Sequence, residues 1–260
     1  MIQAHSLYEG SFSVDASKVF VPFDPEKDDP KDRPASLFVH VRPFLVETSH
    51  GLVVIDAGLG ERTADDQLLI HHNIEKLGFD PADVKYVLMS HLHKDHMGGV
   101  VDVQDGSTRI TFPNAEYIVQ EKEWEAAYSS ESASYRKDLF RALQRSGNLH
   151  LVDGDGELND EISYVLTGGH SEFHQVFHIK TGGEHYFFGG DVLSEPGEIF
   201  RNFVAKYDFD GKKSRDLRTD FWEKGAPEGW LFLFYHSKTI QIGRPEEKED
   251  GTFKLIEVAE

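Results

Sequence analysis

The chain of 260 residues contains no cysteine, which removes disulfides, thiolate nucleophiles and thiolate metal sites. Any metal it binds must be held by imidazole and carboxylate. No apolar stretch approaches the roughly 20 residues that span a bilayer, and the opening Met1-Ile2-Gln3-Ala4-His5-Ser6 lacks a basic segment followed by an apolar core. The expectation is a cytoplasmic protein with no membrane partner. Positive charge is scarce as well: 27 Lys and Arg against 46 Asp and Glu give a formal net charge of −19. Nucleic-acid binding draws most of its affinity from neutralised phosphates, so no nucleic-acid partner is expected. The acidic clusters at 24–32 and 246–250 read as solvated surface. There is no repeat and no low-complexity linker, so one domain over 1–260 is expected. A Gly-x-Ser-x-Gly elbow is missing too, and no serine nucleophile is required.

What is present is a series of short apolar runs punctuated by Gly and Asp. Segments 37–46 and 52–55 read as two strands of a hairpin joined through Ser49-His50-Gly51, the second ending at Asp56-Ala57-Gly58. Helical spacing over 63–77 stops at Gly78, a C-terminal cap. A buried strand over 84–90 follows, then a Gly98-Gly99 turn, a strand near 116–120 and a polar helical region over 122–146. The Trp124, Tyr128, Tyr135 and Phe140 of that region form a packing face. The second half returns to strands at 149–152, 163–166, 175–180, 186–188 and 230–234, with a helix over about 214–225. Strands dominate with helices interspersed, so the class is mixed, α+β.

The strand at 84–90 delivers His91-Leu92-His93-Lys94-Asp95-His96, three imidazoles and a carboxylate within one turn of chain. Imidazole nitrogen and carboxylate oxygen are the ligands that zinc and its first-row neighbours prefer. Shuffling the composition would produce this pattern in roughly one chain in three hundred, so an accidental His-rich loop is the weaker explanation. Three later positions share one grammar. Gly168-Gly169-His170, Gly189-Gly190-Asp191 and Phe234-Tyr235-His236 each set one His or Asp at a strand end. Taken singly, each is better explained as a structural residue. Strand ends that converge on one sheet edge build a common site, however, and glycines there let backbone approach closely. Five His and two Asp suit two metal ions: three His for one, His and Asp for the other, and a carboxylate between them.

On these residues the chain resembles the metallo-β-lactamase fold superfamily, with Asp56-Ala57-Gly58, His91 to His96, His170, Asp191 and His236 in the family's order over most of the sequence. The resemblance implies a four-layer αββα sandwich with its site at one edge of two packed sheets. It also implies that His91, His93 and His170 bind one metal, that Asp95, His96 and His236 bind a second, and that Asp191 bridges them. Asp56 would orient ligands through hydrogen bonds, with a turn-capping Asp as the alternative. Redox members of the superfamily usually carry Glu where this chain has His93. The nitrogen-rich set therefore implies a hydrolytic site with zinc first, and manganese, cobalt or iron as alternatives. The implied chemistry is attack by a water that the two ions acidify, with Asp95 or Asp191 carrying the proton to the leaving group.

Within the superfamily, the size, the Phe44-Leu45-Val46 strand and the Lys206-Tyr207-Asp208-Phe209-Asp210 segment resemble most the quorum-quenching lactonase, esterase and organophosphate hydrolase group. The implied substrate is a small, largely neutral molecule with a lactone, ester or phosphotriester bond, an N-acyl homoserine lactone being one. Two departures stand out. Gly169-His170-Ser171-Glu172-Phe173-His174 replaces the Gly-His-Thr-Pro-Gly-His turn, and Ser194 stands where such lactonases place a substrate-contacting Tyr, a role open to Tyr207 from another loop. Glu172, if it points inward, disfavours anions, and Ser171 is expected to be structural. A glyoxalase II-like thioesterase is the first alternative, but its anionic glutathione thioester calls for a basic patch that the sequence does not display. A nuclease would need more positive charge, and a non-catalytic metal-binding protein on this fold would show a damaged ligand set. Segments 12–23 and 124–140 are candidates for a substrate lid or a homodimer face, with core packing as the equal alternative. His5, His40, His71, His72, His174, His178 and His185 carry no assigned role, and His71-His72 reads as a surface pair.

Overall fold

Side chains alternate across the strands and so divide the interior into three apolar layers. The computed structural model describes residues 2–258. A six-stranded sheet runs in the order Ala4–Ser6, Phe44–Thr48, Gly51–Ile55, Val84–Leu88, Glu116–Gln120, Leu149–Val152. A seven-stranded sheet runs Gly156–Glu157, Ile162–Leu166, Gln175–Thr181, Glu184–Phe188, Leu231–Leu233, Ile242–Glu247, Phe253–Glu257. Between the two lie Phe44, Val46, Val53 and Ile55 of the first and Phe177, Ile179, Tyr186 and Phe188 of the second. The intervening residues Leu45 and Val54 point the other way, onto Ile70 and Ile74 of helix α1 (Leu69–Lys76) and onto Trp124, Leu139 and Phe140. On the far side, Val176, Phe187 and Phe232 pack with Phe221 and Trp222. Trp124 belongs to helix α3 (Glu121–Ser129), Leu139 and Phe140 to α4 (Lys137–Ser146), and Phe221 and Trp222 to α5 (Gly211–Glu228). Helix, sheet, sheet and helix therefore stack in the expected αββα order, with the one-turn helix α2 (Lys94–Met97) at the sheet edge.

Several elements differ from their sequence expectations. The strand expected over 37–46 breaks at Arg42-Pro43, because proline offers no N–H to the ladder. Leu37–Val41 instead joins Gly10–Val14 and Phe20–Pro22 in a separate three-stranded sheet. Phe44–Thr48 still forms the hairpin with Gly51–Ile55, in the register Phe44↔Ile55. The helix expected over 63–77 begins only at Leu69, since Thr63 and Gln67 close a turn and Arg62 bridges Leu68. It does stop at Gly78, whose φ of +88° suits glycine. The polar region 122–146 is two helices. The hydroxyls of Ser130 and Ser132 accept the N–H groups of Ser132 and Ser134 and so divert the backbone from helix. The helix expected over 214–225 is longer at both ends, capped by the Asp210 side chain on Lys213 N and ended by Gly229 at φ +70°.

Candidate metal centre

The His-rich turn is held at the sheet edge by backbone fitting and by one buried carboxylate. Asp56 follows the strand Gly51–Ile55 and accepts from Ser90 N at 2.8 Å, from Ser90 Oγ at 2.7 Å and from His96 Nδ1 at 2.7 Å. Ala57 N donates to His96 O at 2.6 Å and Gly99 N to Gly58 O at 3.1 Å, so the 56–60 loop and the 89–99 turn are stitched together. A Cβ on Gly99 would lie 2.1 Å from Ala57 O, which is why glycine stands there. From the other side, Glu9 accepts the N–H groups of Leu59, Gly60 and Glu61 at 2.6, 2.8 and 2.7 Å.

All seven side chains named from the sequence meet at this edge, in two groups. His91, His93 and His170 form one; Asp95, His96, Asp191 and His236 form the other. In the first, His93 Nδ1 lies 2.9 Å from His91 Nε2 and 3.0 Å from His170 Nε2. In the second, Asp191 Oδ1 is 3.2 Å from His96 Nε2 and 3.1 Å from His236 Nε2, while its Oδ2 reaches His170 Nε2 of the first group at 3.3 Å. Asp95 Oδ2 is 3.5 Å from His236 Nε2. Among the described residues, Asp191 is thus the carboxylate that touches both groups.

The donor chemistry fits a pair of divalent cations. His236 Nδ1 donates to His40 O at 2.6 Å, and a carbonyl can only accept, so the inward Nε2 is the nitrogen of that ring left to ligate a metal. His96 and His170 donate their outward Nδ1–H groups to the carboxylates of Asp56 and Asp208, at 2.7 and 2.9 Å. Histidines that ligate metals make this kind of outer contact. Among the described residues, His96 Nε2 and Asp191 Oδ1 are buried without a hydrogen-bond partner. Ligand atoms about 3 Å apart repel unless a proton or a metal cation lies between them, and a tetrahedral ion with bonds near 2.1 Å holds its ligands about 3.4 Å apart. Burial, then the surrounding imidazoles, hold His91 and His93 well below the usual histidine pKa, in the neutral form that binds metal. Burial opposes charge on Asp191, yet the imidazoles of His236, His96 and His170 outweigh it and keep this carboxyl well below the usual range. Burial likewise opposes charge on His96, but Asp191, Asp95 and Asp56 together raise it well above the usual value. Replacing Asp56 with alanine is expected to weaken metal binding at the second group by roughly 10- to 100-fold, read by competition with a chromophoric chelator. Unchanged affinity would reduce Asp56 to a turn cap.

Several supporting residues escaped the sequence reading. Asp208 orients His170 and lies 3.6 Å from the guanidinium of buried Arg218, which also donates to Val192 O at 2.6 Å. Glu123 accepts from Leu92 N at 3.1 Å and from Ser171 Oγ at 2.8 Å, so it braces the His-rich turn and gives Ser171 a structural task. His174 is fully buried and accepts from Asp191 N at 3.2 Å, under the centre. Tyr235 donates to Asp95 O at 2.6 Å. Only Asp208 carried a signal, through its neighbour Tyr207. His71 is not the surface residue expected: it is half-buried, pairs with Thr111 O at 2.9 Å and packs edge-on to Phe112.

The centre opens into a cavity of about 830 Å³. Ser194, Tyr207 and Glu172 all line it, and the Tyr207 ring lies 6.1 Å from that of His170. The segment 12–23 divides its work: Phe12 is buried core, whereas Lys18 and Phe20 line the cavity. The 124–140 region divides likewise, with Trp124 and Phe140 in the core and Tyr135 in the cavity wall, 5.2 Å from His93.

The sequence pattern of the Metallo-beta-lactamase superfamily matches residues 38–239. An N-acyl homoserine lactonase of Bacillus thuringiensis is 29% identical over 157 residues, which cover 53% of this chain and 57% of that protein. The N-acyl homoserine lactonase AttM of Azorhizobium caulinodans is 36% identical over 169 residues, covering 61% of this chain and 51% of that protein. The chain therefore spans little more than half the length of these curated relatives. The crystal structure of a probable metal-dependent hydrolase from Staphylococcus aureus superposes with a TM-score of 0.77 at 23% identity, over 98% of this chain and 97% of the other, and shares the fold.

Proposed function

This chain belongs to the metallo-beta-lactamase superfamily, and on that premise we propose that it is a binuclear metal-dependent hydrolase that cleaves a lactone, ester or phosphotriester bond in a small molecule. One observation carries the reading: seven buried or nearly buried His and Asp side chains turn their lone pairs inward in two groups that share Asp191. An intact ligand set of this kind favours catalysis over a purely structural metal site. When bound, two divalent ions, zinc first, supply Lewis acidity that lowers the pKa of water and polarises the ester oxygen under attack.

The chain's own residues supply the rest. Asp56, Asp208 and the His40 carbonyl fix the ring orientations of His96, His170 and His236, so the inward nitrogens are set before substrate arrives. Asp95 and Asp191 both line the cavity, where a carboxylate can take a proton from water and hand it to the leaving oxygen. Tyr207 and Ser194 reach the same space and can donate to the substrate carbonyl. N-acyl homoserine lactones, which name both curated relatives, are the first substrates to test. No helix among the described residues is long and apolar enough to cross a membrane. Stripping metal with a chelator is expected to abolish turnover of a homoserine lactone and of a 4-nitrophenyl ester, with recovery on adding zinc. Turnover that survives complete metal removal would overturn the proposal.

A further inference from the structure

The cavity wall beside the centre holds three lysines. Lys18, Lys94 and Lys238 line it, and among the described residues none has an ion-pair partner, in a chain with 46 acidic and 27 basic residues. Most carboxylates that face the same space are engaged. Asp95 and Asp191 belong to the centre, Glu123 holds Leu92 N and Ser171, and Asp208 holds His170. Glu198 accepts from Ser194 N and Glu195 N at 2.6 and 3.1 Å, and Glu195 caps its own short turn. Glu172 alone stays exposed and without such a contact.

Two of the cations form one wall with a serine-rich turn. Lys94 Nζ donates to Lys18 O at 2.8 Å, and Lys94 N donates to Ser134 O at 2.8 Å, which fastens α2 to the hairpin turn at 18 and to residues 130–134. Ser130 Oγ and Ser132 Oγ accept backbone N–H groups at 3.1 and 3.2 Å, so their hydroxyl hydrogens stay free to donate. Ser130, Ser132 and Ser134 all line the cavity. Two ammonium groups and two hydroxyl hydrogens are the donor set an oxyanion needs.

We propose that Lys18, Lys94 and the serine turn 130–134 form an oxyanion subsite, and that the preferred substrate carries, besides the bond cleaved at the metal centre, a carboxylate that docks on this wall. The inference rests on the hydrolytic reading of the centre and revises the expectation of a largely neutral substrate. It also supplies the basic patch that the linear sequence hides, because positions 18 and 94 come together only in the fold.

The test compares 4-nitrophenyl hexanoate with mono-4-nitrophenyl adipate, which differ by one terminal carboxylate. The metal-loaded protein is expected to show kcat/KM at least tenfold higher for the adipate ester. That preference should fall towards one in the Lys18→Met/Lys94→Met variant, persist in Lys18→Arg, and shrink in 0.5 M salt. No preference in the unaltered protein, or a preference that survives the double substitution, overturns the subsite while leaving the hydrolytic reading intact. If neither ester turns over, the hydrolytic reading fails, and the subsite is decided by calorimetry with the anilides of the same two acids. Tighter binding of the adipic monoanilide that is lost in the double variant supports it, and equal binding of the two overturns it.

Discussion

Replacing Asp191 with alanine is expected to lower ester or lactone hydrolysis by at least about 1,000-fold and metal content from two equivalents to about one. The size of the effect follows from position. Oδ1 lies against His96 and His236 and Oδ2 against His170, so this single side chain serves both ligand groups. Its removal leaves the second group with Asp95 as its only carboxylate and removes a direct contact between the groups. The fold should survive, because Asp191 belongs to none of the three apolar cores. Circular dichroism and the melting temperature of the metal-free variant should match those of the metal-free parent. A variant that kept both metals and more than about a tenth of the activity would remove Asp191 from the role of bridge.

The second large effect is expected from Gly99→Ala, which adds one methyl group at a residue that does not line the cavity. Its Cβ would sit 2.1 Å from Ala57 O, and the obstacle is backbone, so no rotamer change relieves it. Relief requires parting the 56–60 loop from the His-rich turn, with loss of the Gly99 N to Gly58 O and Ala57 N to His96 O hydrogen bonds. Overpacking of this kind costs about 3 kcal/mol or more, which for a chain of this size lowers the melting temperature by at least about 6 °C. Metal affinity should fall with it, since His96 and Asp56 lie on the two parts forced apart. Gly106→Ala is the control: unlike Gly99, that site has a left-handed backbone, φ +75°, but it has open space around the added carbon, and the backbone alone should cost only about 1 kcal/mol.

Much of the centre was legible in the linear chain because metal ligation demands particular side chains at short spacing. His91, His93, Asp95 and His96 come within one turn, and the glycines before His170 and Asp191 mark strand ends. The supporting residues were not legible. Asp208, Arg218 and Glu123 are single charged residues in polar segments, and only the fold shows that they are buried against the centre. Helix boundaries failed for a local reason at 130–136, where serine side chains compete for backbone N–H groups within a segment whose polarity suits a helix equally well. The break at Arg42-Pro43 could be suspected from proline. Its result, two neighbouring strands in different sheets, depends on Gly10–Val14 offering an alternative partner to Leu37–Val41. The basic wall could not be read because Lys18 and Lys94 lie in segments that share no pattern.

The most direct test of the two-metal account is a titration of the metal-free protein with zinc, following hydrolysis of the best ester or lactone substrate against equivalents added. The account predicts that activity rises to a sharp break at two equivalents per chain. A break at one equivalent, or full activity before any metal is added, would contradict it.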